Sequence, residues 1–198
     1  MDMTTNQIKQ TLVLHDKRTV SEEEFTPAAV LIPLFYKNDE LHVLLTLRTE
    51  TVAAHKGQIS FPGGARENGD ADLLETALRE TYEEVGIKPE DVEVLGELDD
   101  LLAVTNFVVT PFVGIIPYPY EFNVSHDEIA ELIEIPLSFF LNGSNCRTEQ
   151  RPYRGRNVTV YYYDYGKYTV WGVTARILKG FLDLCFGSTN ENLDAKAS

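Results

Sequence analysis

Short blocks of apolar residues, separated by turn residues, recur along the chain and predict β-strands. Residues 28–36 predict one buried strand, and residues 41–47, which follow the Asn38-Asp39 turn, predict its hairpin partner. Residues 126–133 form a short amphipathic segment that fits either a helix or a strand. The other segments with a strand pattern are 58–61, 92–98, 108–116, 158–164 and 168–171.

Two segments follow helical spacing instead. In residues 73–85 one stripe is expected to face the core, and it consists of Leu74, Ala77, Leu78, Thr81 and Val85. Asp72 has the character of an N-cap, and Gly86 that of a glycine that ends a helix. Residues 174–186 predict a closing helix.

Strands that surround two well-marked helices predict an α/β (α+β) fold with a mixed sheet packed between helices. A chain of 198 residues fits one domain with a substantial core. We expect that domain over residues 27–186, after an N-terminal extension over residues 1–26 that holds a short helix. Residues 187–198 are polar and predict a disordered tail.

The charge balance limits the partners of the chain. The formal net charge is −14 and the pI about 4.6, which disfavours extended nucleic-acid binding because phosphate backbones are repelled. No apolar run reaches the roughly 20 residues that span a bilayer, and the first ten residues lack a secretory apolar region. Cys146 and Cys185 form no metal or redox pair, so we expect two reduced thiols and a cytoplasmic location.

Three carboxylates crowd one face of the first predicted helix. Glu80, Glu83 and Glu84 are related by steps of three and four residues, and Arg79 can pair with them. Such crowding is unfavourable unless a cation lies among the carboxylates, and their hard oxygen ligands suit Mg²⁺ or Mn²⁺. Taken alone, the carboxylates are better explained as a solvated acidic face. The preceding Gly63-Gly64 pair reverses that balance, because glycines let the backbone approach a phosphate or a metal closely.

The segment from Gly64 onward resembles the Nudix box, G-x5-E-x7-R-E-U-x-E-E-x-G-U, in which U is aliphatic. The matching residues are Gly64, Arg79, Glu80, Glu83, Glu84, Gly86 and Ile87. A joint match at fixed spacing is far more specific than a lone glycine pattern. The stretch between Gly64 and Arg79 is one residue longer than in the generic box, so Ala71 stands where the first glutamate is expected. Either the nearby Asp70 takes that role or the role is absent.

Upstream residues resemble the signature of the coenzyme A pyrophosphatases within the Nudix group, L-L-T-x-R-[SA]-x3-R-x3-G-x3-F-P-G-G. Residues 44–48, Gly57 and residues 61–64 match it. Thr49 stands at the [SA] position, and Ala53 replaces the second arginine. Arg48 and Lys56 are therefore the candidate cations for the substrate's phosphates, although an exposed strand end explains each equally well on sequence alone.

The resemblance implies a Nudix α/β/α sandwich and metal-dependent hydrolysis of a diphosphate bond. Glu80 and Glu84 are the first expected ligands of Mg²⁺ or Mn²⁺, and Glu83 is the next, as ligand or base. Gly63 and Gly64 are expected beside the metal and the substrate, and Arg79 is expected to orient the glutamates. The general base is left open between Glu83 and two more distant carboxylates, Glu128 and Glu131.

The expected partner is a small nucleoside diphosphate derivative, and a homodimer is an open alternative for assembly. Coenzyme A or an acyl-CoA is the first expectation, with 3′-phosphoadenosine 5′-phosphate and 4′-phosphopantetheine as the products from coenzyme A. ADP-ribose, NADH or another nucleoside diphosphate conjugate is the alternative within the same family. A non-catalytic nucleotide-binding module is a lesser alternative, because an eroded box would favour it and Arg79, Glu80, Glu83 and Glu84 are all present. Isomerase chemistry is disfavoured because neither cysteine lies in a supporting motif.

Overall fold

A computed structural model describes residues 4–20, 24–49, 57–153 and 155–187 of the chain. Within these ranges the α-helices are α1 (Thr5–Leu14), α2 (Leu73–Val85), α3 (Leu137–Leu141) and α4 (Gly172–Phe186). The strands are β1 (Thr26–Lys37), β2 (Glu40–Arg48), β3 (Ile59–Ser60), β4 (Gly63–Ala65), β5 (Glu93–Glu97), β6 (Leu101–Leu102), β7 (Phe107–Ile115), β8 (Ile129–Pro136), β9 (Cys146–Tyr153), β10 (Arg156–Tyr165) and β11 (Tyr168–Trp171).

The main sheet is mixed and is built around β1. This strand pairs with β7 in parallel along most of its length and with β2 through an antiparallel hairpin. The hairpin turns at Asn38 and Asp39, which have φ values of 52° and 63°, a conformation that these two residue types tolerate better than most. The path β3-β2-β1-β7-β5 is extended by β4 on β1, β6 on β7 and β8 on β2. A separate antiparallel sheet has the order β11-β10-β9.

Helices cover both faces of the main sheet, which confirms the predicted α/β/α class. On one face, Ala29 and Leu31 of β1 pack with Ala77 of α2. On the other, Ile32 and Leu34 of β1 belong to a larger buried cluster that includes residues of α1, α3 and α4. The alternation along β1 follows from the two-residue repeat of a strand that is buried on both sides. Within the described residues no helix is long and apolar enough to cross a membrane.

The N-terminal extension contains the predicted short helix. In α1, Ile8 and Leu12 are buried in the same cluster as α4. The helix therefore contributes to the core of the domain that follows it. The division of the chain at residues 26 and 187 stays a prediction, and the tail beyond residue 187 lies outside the described residues.

The two halves of β1 have different partners on one side. Residues 28–30 pair with β4, whereas residues 34–37 pair with β2. Beyond that point β2 leaves β1 and pairs with β3 through Thr46 and Leu47. This branching separates β2 from β4, and the end of β2 at Arg48 and the start of β4 at Gly63 both donate hydrogen bonds to Glu84 of α2.

The predicted caps of α2 are present, but its buried face differs in part from the prediction. Asp72 accepts a hydrogen bond from the Glu75 amide at 2.8 Å, and Gly86 adopts a left-handed φ of 76° at the other end. Ala77, Thr81 and Val85 are buried as predicted, whereas Leu74 and Leu78 are only partly buried. Thr76 and Glu84 take buried positions instead, because Thr76 bonds to Asp70 in the preceding loop and Glu84 bonds to the ends of β2 and β4.

Two further segments differ from the prediction or resolve it. Residues 126–133, which fit either a helix or a strand, contain the start of β8. The strand β9 was not predicted, because its residues are almost all exposed and polar and show no apolar alternation. The hairpin of β10 and β11 and the closing helix α4 agree with the prediction.

Candidate active site

Glu84 is the most enclosed carboxylate of the acidic cluster, and its side chain is only 3% exposed. The Nη1 of Arg48 donates to its Oε1 at 2.8 Å, and the backbone N–H of Gly63 donates to its Oε2 at 3.2 Å. Burial raises the pKa of Glu84 to about 7, although Arg48 acts in the opposite direction. The charged form of Glu84 is therefore less favourable here than in water, even with Arg48 beside it.

Glu80 lies one helical turn before Glu84 and rests against the backbone of β4. A Cβ atom on Gly64 would lie 2.5 Å from Oε1 of Glu80, so only glycine leaves room for this carboxylate. Gly63 is required for another reason, since its φ is 150° and a Cβ there would lie 2.6 Å from Cα of Val30. Burial also raises the pKa of Glu80. The glycine pair thus allows a close approach between sheet and helix, which a plain turn would not require.

Arg79 connects the loop before α2 to the acidic cluster. Its Nε and Nη2 donate to the two oxygens of Asp70 at 2.9 and 3.1 Å, and its Nη1 reaches Glu80 at 2.9 Å and Glu83 at 3.1 Å. Asp70 is 6% exposed and also accepts from the Thr76 hydroxyl at 2.8 Å. The Arg79 guanidinium holds the pKa of Asp70 well below its ordinary range. The loop partner of Arg79 is therefore Asp70, which favours the first of the two alternatives that the sequence left open.

Arg48 lies among the carboxylates rather than at a free strand end. Besides its bond to Glu84, its Nη2 donates to Oε2 of Glu128 at 3.3 Å. Its Nε is buried and has no hydrogen-bond partner in the described part of the chain. Lys56, the other predicted cation, lies outside the described residues together with Ala53, so its role stays a prediction.

A cavity of about 730 Å³ opens beside this cluster. Its charged lining residues in the described ranges are Arg48, Glu80, Glu84 and Glu128. Its remaining lining is polar or apolar, and the larger apolar side chains come from β7, the loop before it, the region where β11 meets α4, and Phe61 between β3 and β4. The volume lies within the usual range for small-molecule sites, which are mostly apolar with a few convergent polar groups.

The two distant carboxylates that were candidates for the general base have different surroundings in the structure. Glu128 lines the cavity, whereas Glu131 accepts hydrogen bonds from the Tyr168 hydroxyl at 2.5 Å and from Lys167 at 3.2 Å. The Tyr168 and Lys167 donors lower the pKa of Glu131. Cys146 and Cys185 are free thiols, and neither is among the described lining residues of the cavity.

Comparison with known proteins agrees with this geometry. A family model described as the NUDIX domain matches residues 25–131. A protein from Enterobacter sp. (strain 638), described as an uncharacterized Nudix hydrolase NudL, is 44% identical over 152 residues, which cover 77% of this chain and 79% of that protein. The chain belongs to the Nudix family. A NudL protein of Photorhabdus laumondii is 39% identical over 151 residues, covering 76% of this chain and 80% of its own.

Solved Nudix structures resemble this chain more distantly. A C. elegans Ap4A hydrolase in a binary complex aligns over 56% of this chain and 80% of its own, with a TM-score of 0.49 and 20% identity. This likeness is too distant to indicate a substrate. The family assignment nevertheless makes the chain a Nudix hydrolase, a pyrophosphohydrolase of nucleoside diphosphate derivatives.

Nudix hydrolases generally use divalent cations, and the residues of this site fit one. Glu80, Glu83 and Glu84 supply the hard oxygen donors that Mg²⁺ and Mn²⁺ prefer, and Gly64 leaves space for the Glu80 carboxylate. In the described part of the chain no three acidic, histidine or cysteine side chains are already gathered as a ligand set. Arg48 and Arg79 instead donate hydrogen bonds directly to these carboxylates. A cation would compete with the two guanidinium groups for the same oxygens.

Two features of the site were not assigned a role from the sequence. Trp171 and Val104 both line the cavity and are unusually exposed for large apolar side chains, at 41% and 64%. The sequence analysis included Trp171 only as the last residue of the predicted strand 168–171. The one available signal was that it is the single tryptophan of the chain and stands directly before a glycine at the end of a predicted strand.

Proposed function

We propose that this Nudix hydrolase cleaves the diphosphate of coenzyme A or an acyl-CoA, releasing 3′-phosphoadenosine 5′-phosphate and 4′-phosphopantetheine from coenzyme A. The observation that carries the proposal is the cluster of Glu80, Glu84 and Arg48 beside Gly63-Gly64 at the wall of a substrate-sized cavity. The choice of coenzyme A among nucleoside diphosphates rests on the resemblance of residues 44–64 to the signature of that subfamily.

In this proposal each residue has a distinct task. Glu80 and Glu84 hold Mg²⁺ or Mn²⁺, with Glu83 and a backbone carbonyl of the glycine pair as further ligands. The cation supplies charge neutralisation for the diphosphate and lowers the pKa of bound water. Arg48 turns its guanidinium from Glu84 and Glu128 to the substrate's phosphates. Arg79 is a positioning residue that keeps Glu80 and Glu83 in place.

Glu128 is the better supported of the two distant candidates for the general base, because it lines the cavity and Glu131 does not. Glu128→Gln should lower kcat by about 10²-fold or more, in keeping with the usual contribution of a general base, with little change in KM. Glu131→Gln is the matched control on the same segment and should leave kcat within a factor of two or three. Equal effects of the two substitutions would favour Glu83 as the base.

The direct test incubates the purified protein with coenzyme A and MgCl₂ and separates the products by chromatography. We expect both half-molecules in equal amounts, and a loss of nearly all turnover in Glu84→Gln with the fold retained. Intact coenzyme A alongside rapid cleavage of ADP-ribose or NADH would overturn the substrate assignment while leaving Nudix hydrolysis in place. Near wild-type turnover in Glu84→Gln would overturn the proposed ligand role.

One observation favours ADP-ribose or a related conjugate as the second candidate. Among the described residues that line the cavity, Arg48 is the sole cation, so the 3′-phosphate of coenzyme A has no evident partner there. ADP-ribose lacks that phosphate. The same assay with both substrates in competition separates the two, because kcat/KM ratios report the preference directly.

A further inference from the structure

The cavity is charged along one side and uncharged along the other. Glu80 and Glu84 approach it beside β4, whereas the β7 wall lies on the far side of β1. Ala28 of β1 pairs with Ala65 of β4 on one side and with Val109 of β7 on the other. Two strand spacings, about 10 Å, therefore separate the two walls. A nucleoside diphosphate has the same polarity, because a ribose separates its charged diphosphate from its uncharged base.

A row of planar groups crosses the small sheet and ends at the cavity, where β11 and the start of α4 pack against β3. Tyr162 pairs with Arg147 on β9 and with Trp171 on β11. The Arg147 guanidinium lies 4.0 Å from the centre of the Tyr162 ring. The Tyr162 and Trp171 rings are parallel within 7°, with centroids 6.2 Å apart. Trp171 is the last member of the row, and it lines the cavity.

Hydrogen bonds of Tyr162 and of the start of α4 fix the position of this row. Tyr162 is 5% exposed, and its hydroxyl donates to Glu149 at 3.1 Å. Just after Trp171, the Thr174 hydroxyl donates to the Ile59 carbonyl at 3.0 Å, which attaches the start of α4 to β3. The indole is thus oriented before any ligand arrives, so a flat ligand would lose little free energy in ordering it.

We propose that Trp171 is the stacking platform of a nucleobase subsite, in which the purine of the substrate forms the next layer of the Arg147–Tyr162–Trp171 row. Val104, 64% exposed and in the loop before β7, is a further apolar residue of the same cavity lining. The charged residues of the described lining are Arg48, Glu80, Glu84 and Glu128. The rest of the described lining is uncharged, which suits an uncharged ring. The subsite rests on the proposed function, because it assumes that the diphosphate lies at the carboxylates.

The single tryptophan makes the subsite directly observable. Adenosine 5′-monophosphate, which has no diphosphate bond for the enzyme to cleave, should quench the intrinsic fluorescence saturably, because stacking brings the base onto the indole. Inorganic pyrophosphate should not produce this quenching. Quenching by 4′-phosphopantetheine but not by the nucleotide would overturn the proposal and assign this end of the cavity to the other half of the substrate.

Substitutions test the same contact by affinity. By calorimetry, Trp171→Leu should weaken nucleotide binding roughly 5- to 150-fold, the range found for one base stacked on one aromatic side chain, and Trp171→Phe should recover most of it. The matched control is Tyr36→Leu, because Tyr36 is a similarly exposed aromatic (43%) that is not part of the cavity lining. Unchanged nucleotide affinity in Trp171→Leu would overturn the proposal. If circular dichroism finds Trp171→Leu unfolded, Trp171→Phe and the wild-type quenching decide.

Activity separates this proposal from the one on which it rests. Trp171→Leu should raise the KM for coenzyme A more than it lowers kcat, because the base lies away from the reacting phosphorus. Hydrolysis of coenzyme A with an unchanged KM in Trp171→Leu would overturn the subsite and leave the proposed function. Quenching by the nucleotide without hydrolysis of coenzyme A would overturn the proposed function and leave the subsite.

Discussion

Replacing Glu84 by glutamine should make the cation-free protein more stable at alkaline pH while it removes the activity. Burial raises the pKa of Glu84 from an ordinary 4.5 to about 7 in the folded protein. A difference of about 2.5 in pKa corresponds to about 3 kcal/mol between the charged and neutral forms. The side chain is 3% exposed, so solvent screening removes little of this free energy.

The sign of the effect follows from the direction of the change. Because the folded state raises the pKa, the neutral form of Glu84 is favoured in the fold. The stabilisation from binding this proton is complete below about pH 4.5 and is lost as the pH rises through about 7. Glutamine stays neutral throughout. The free energy of unfolding of Glu84→Gln, minus that of the wild type, should therefore increase by about 2–3 kcal/mol between pH 5 and pH 8.

The assay is urea unfolding in EDTA at several pH values in this range, followed by circular dichroism. Glu83→Gln is the matched control, because it removes one charge from the same helix at a side chain that is 55% exposed. This control separates the effect of burying the carboxylate from the effect of removing one negative charge. Addition of Mg²⁺ at pH 8 should stabilise the wild type more than Glu84→Gln. A difference in stability that stays constant or shrinks from pH 5 to pH 8 would refute the reasoning.

Three further substitutions probe the framework of the site. Gly64→Ala should weaken Mn²⁺ binding and turnover about tenfold or more with the fold intact, because the added methyl group displaces only the flexible end of Glu80. Paramagnetic titration measures the Mn²⁺ affinity, and kinetics measure the turnover. Gly69→Ala is the control in both assays, because a Cβ atom at Gly69 meets no atom within 4 Å. Gly63→Ala should give insoluble or unfolded protein by circular dichroism, since the clash is with backbone and φ is 150°; a folded variant would contradict the geometry. Asp70→Asn should lower kcat about 10- to 100-fold while the fluorescence response to nucleotide persists, and full kcat would exclude a positioning role.

Local patterns predicted those parts of the fold that local interactions determine. The β1–β2 hairpin follows from its turn residues, and the bounds of α2 follow from Asp72 and Gly86. The carboxylates were placed on one helix face for the same reason, because a helix fixes the relative positions of residues three and four apart. Arg79 and Glu80 were expected to pair, and they do at 2.9 Å.

Long-range pairing was beyond such reasoning. The parallel contact between β1 and β7 joins segments about 80 residues apart and leaves no local signature. The burial of Glu84 depends on Arg48 and Gly63, which no helical pattern includes, so the predicted stripe favoured Leu74 and Leu78 instead. The row from Arg147 to Trp171 depends on β9, whose exposed polar sequence does not predict a strand.

The divided pairing of β1 has a consequence for how this site can diversify. One half of the strand bonds to β4 and the other to β2, and between them the Leu31 amide donates to the Pro62 carbonyl. The segment before Gly63 is therefore attached to the sheet at Ile59, Ser60 and Pro62, and changes that keep these three residues leave the sheet pairing intact. Substitutions at cavity-lining positions of this segment, such as Gln58, can then alter specificity while α2 and its carboxylates remain unaltered.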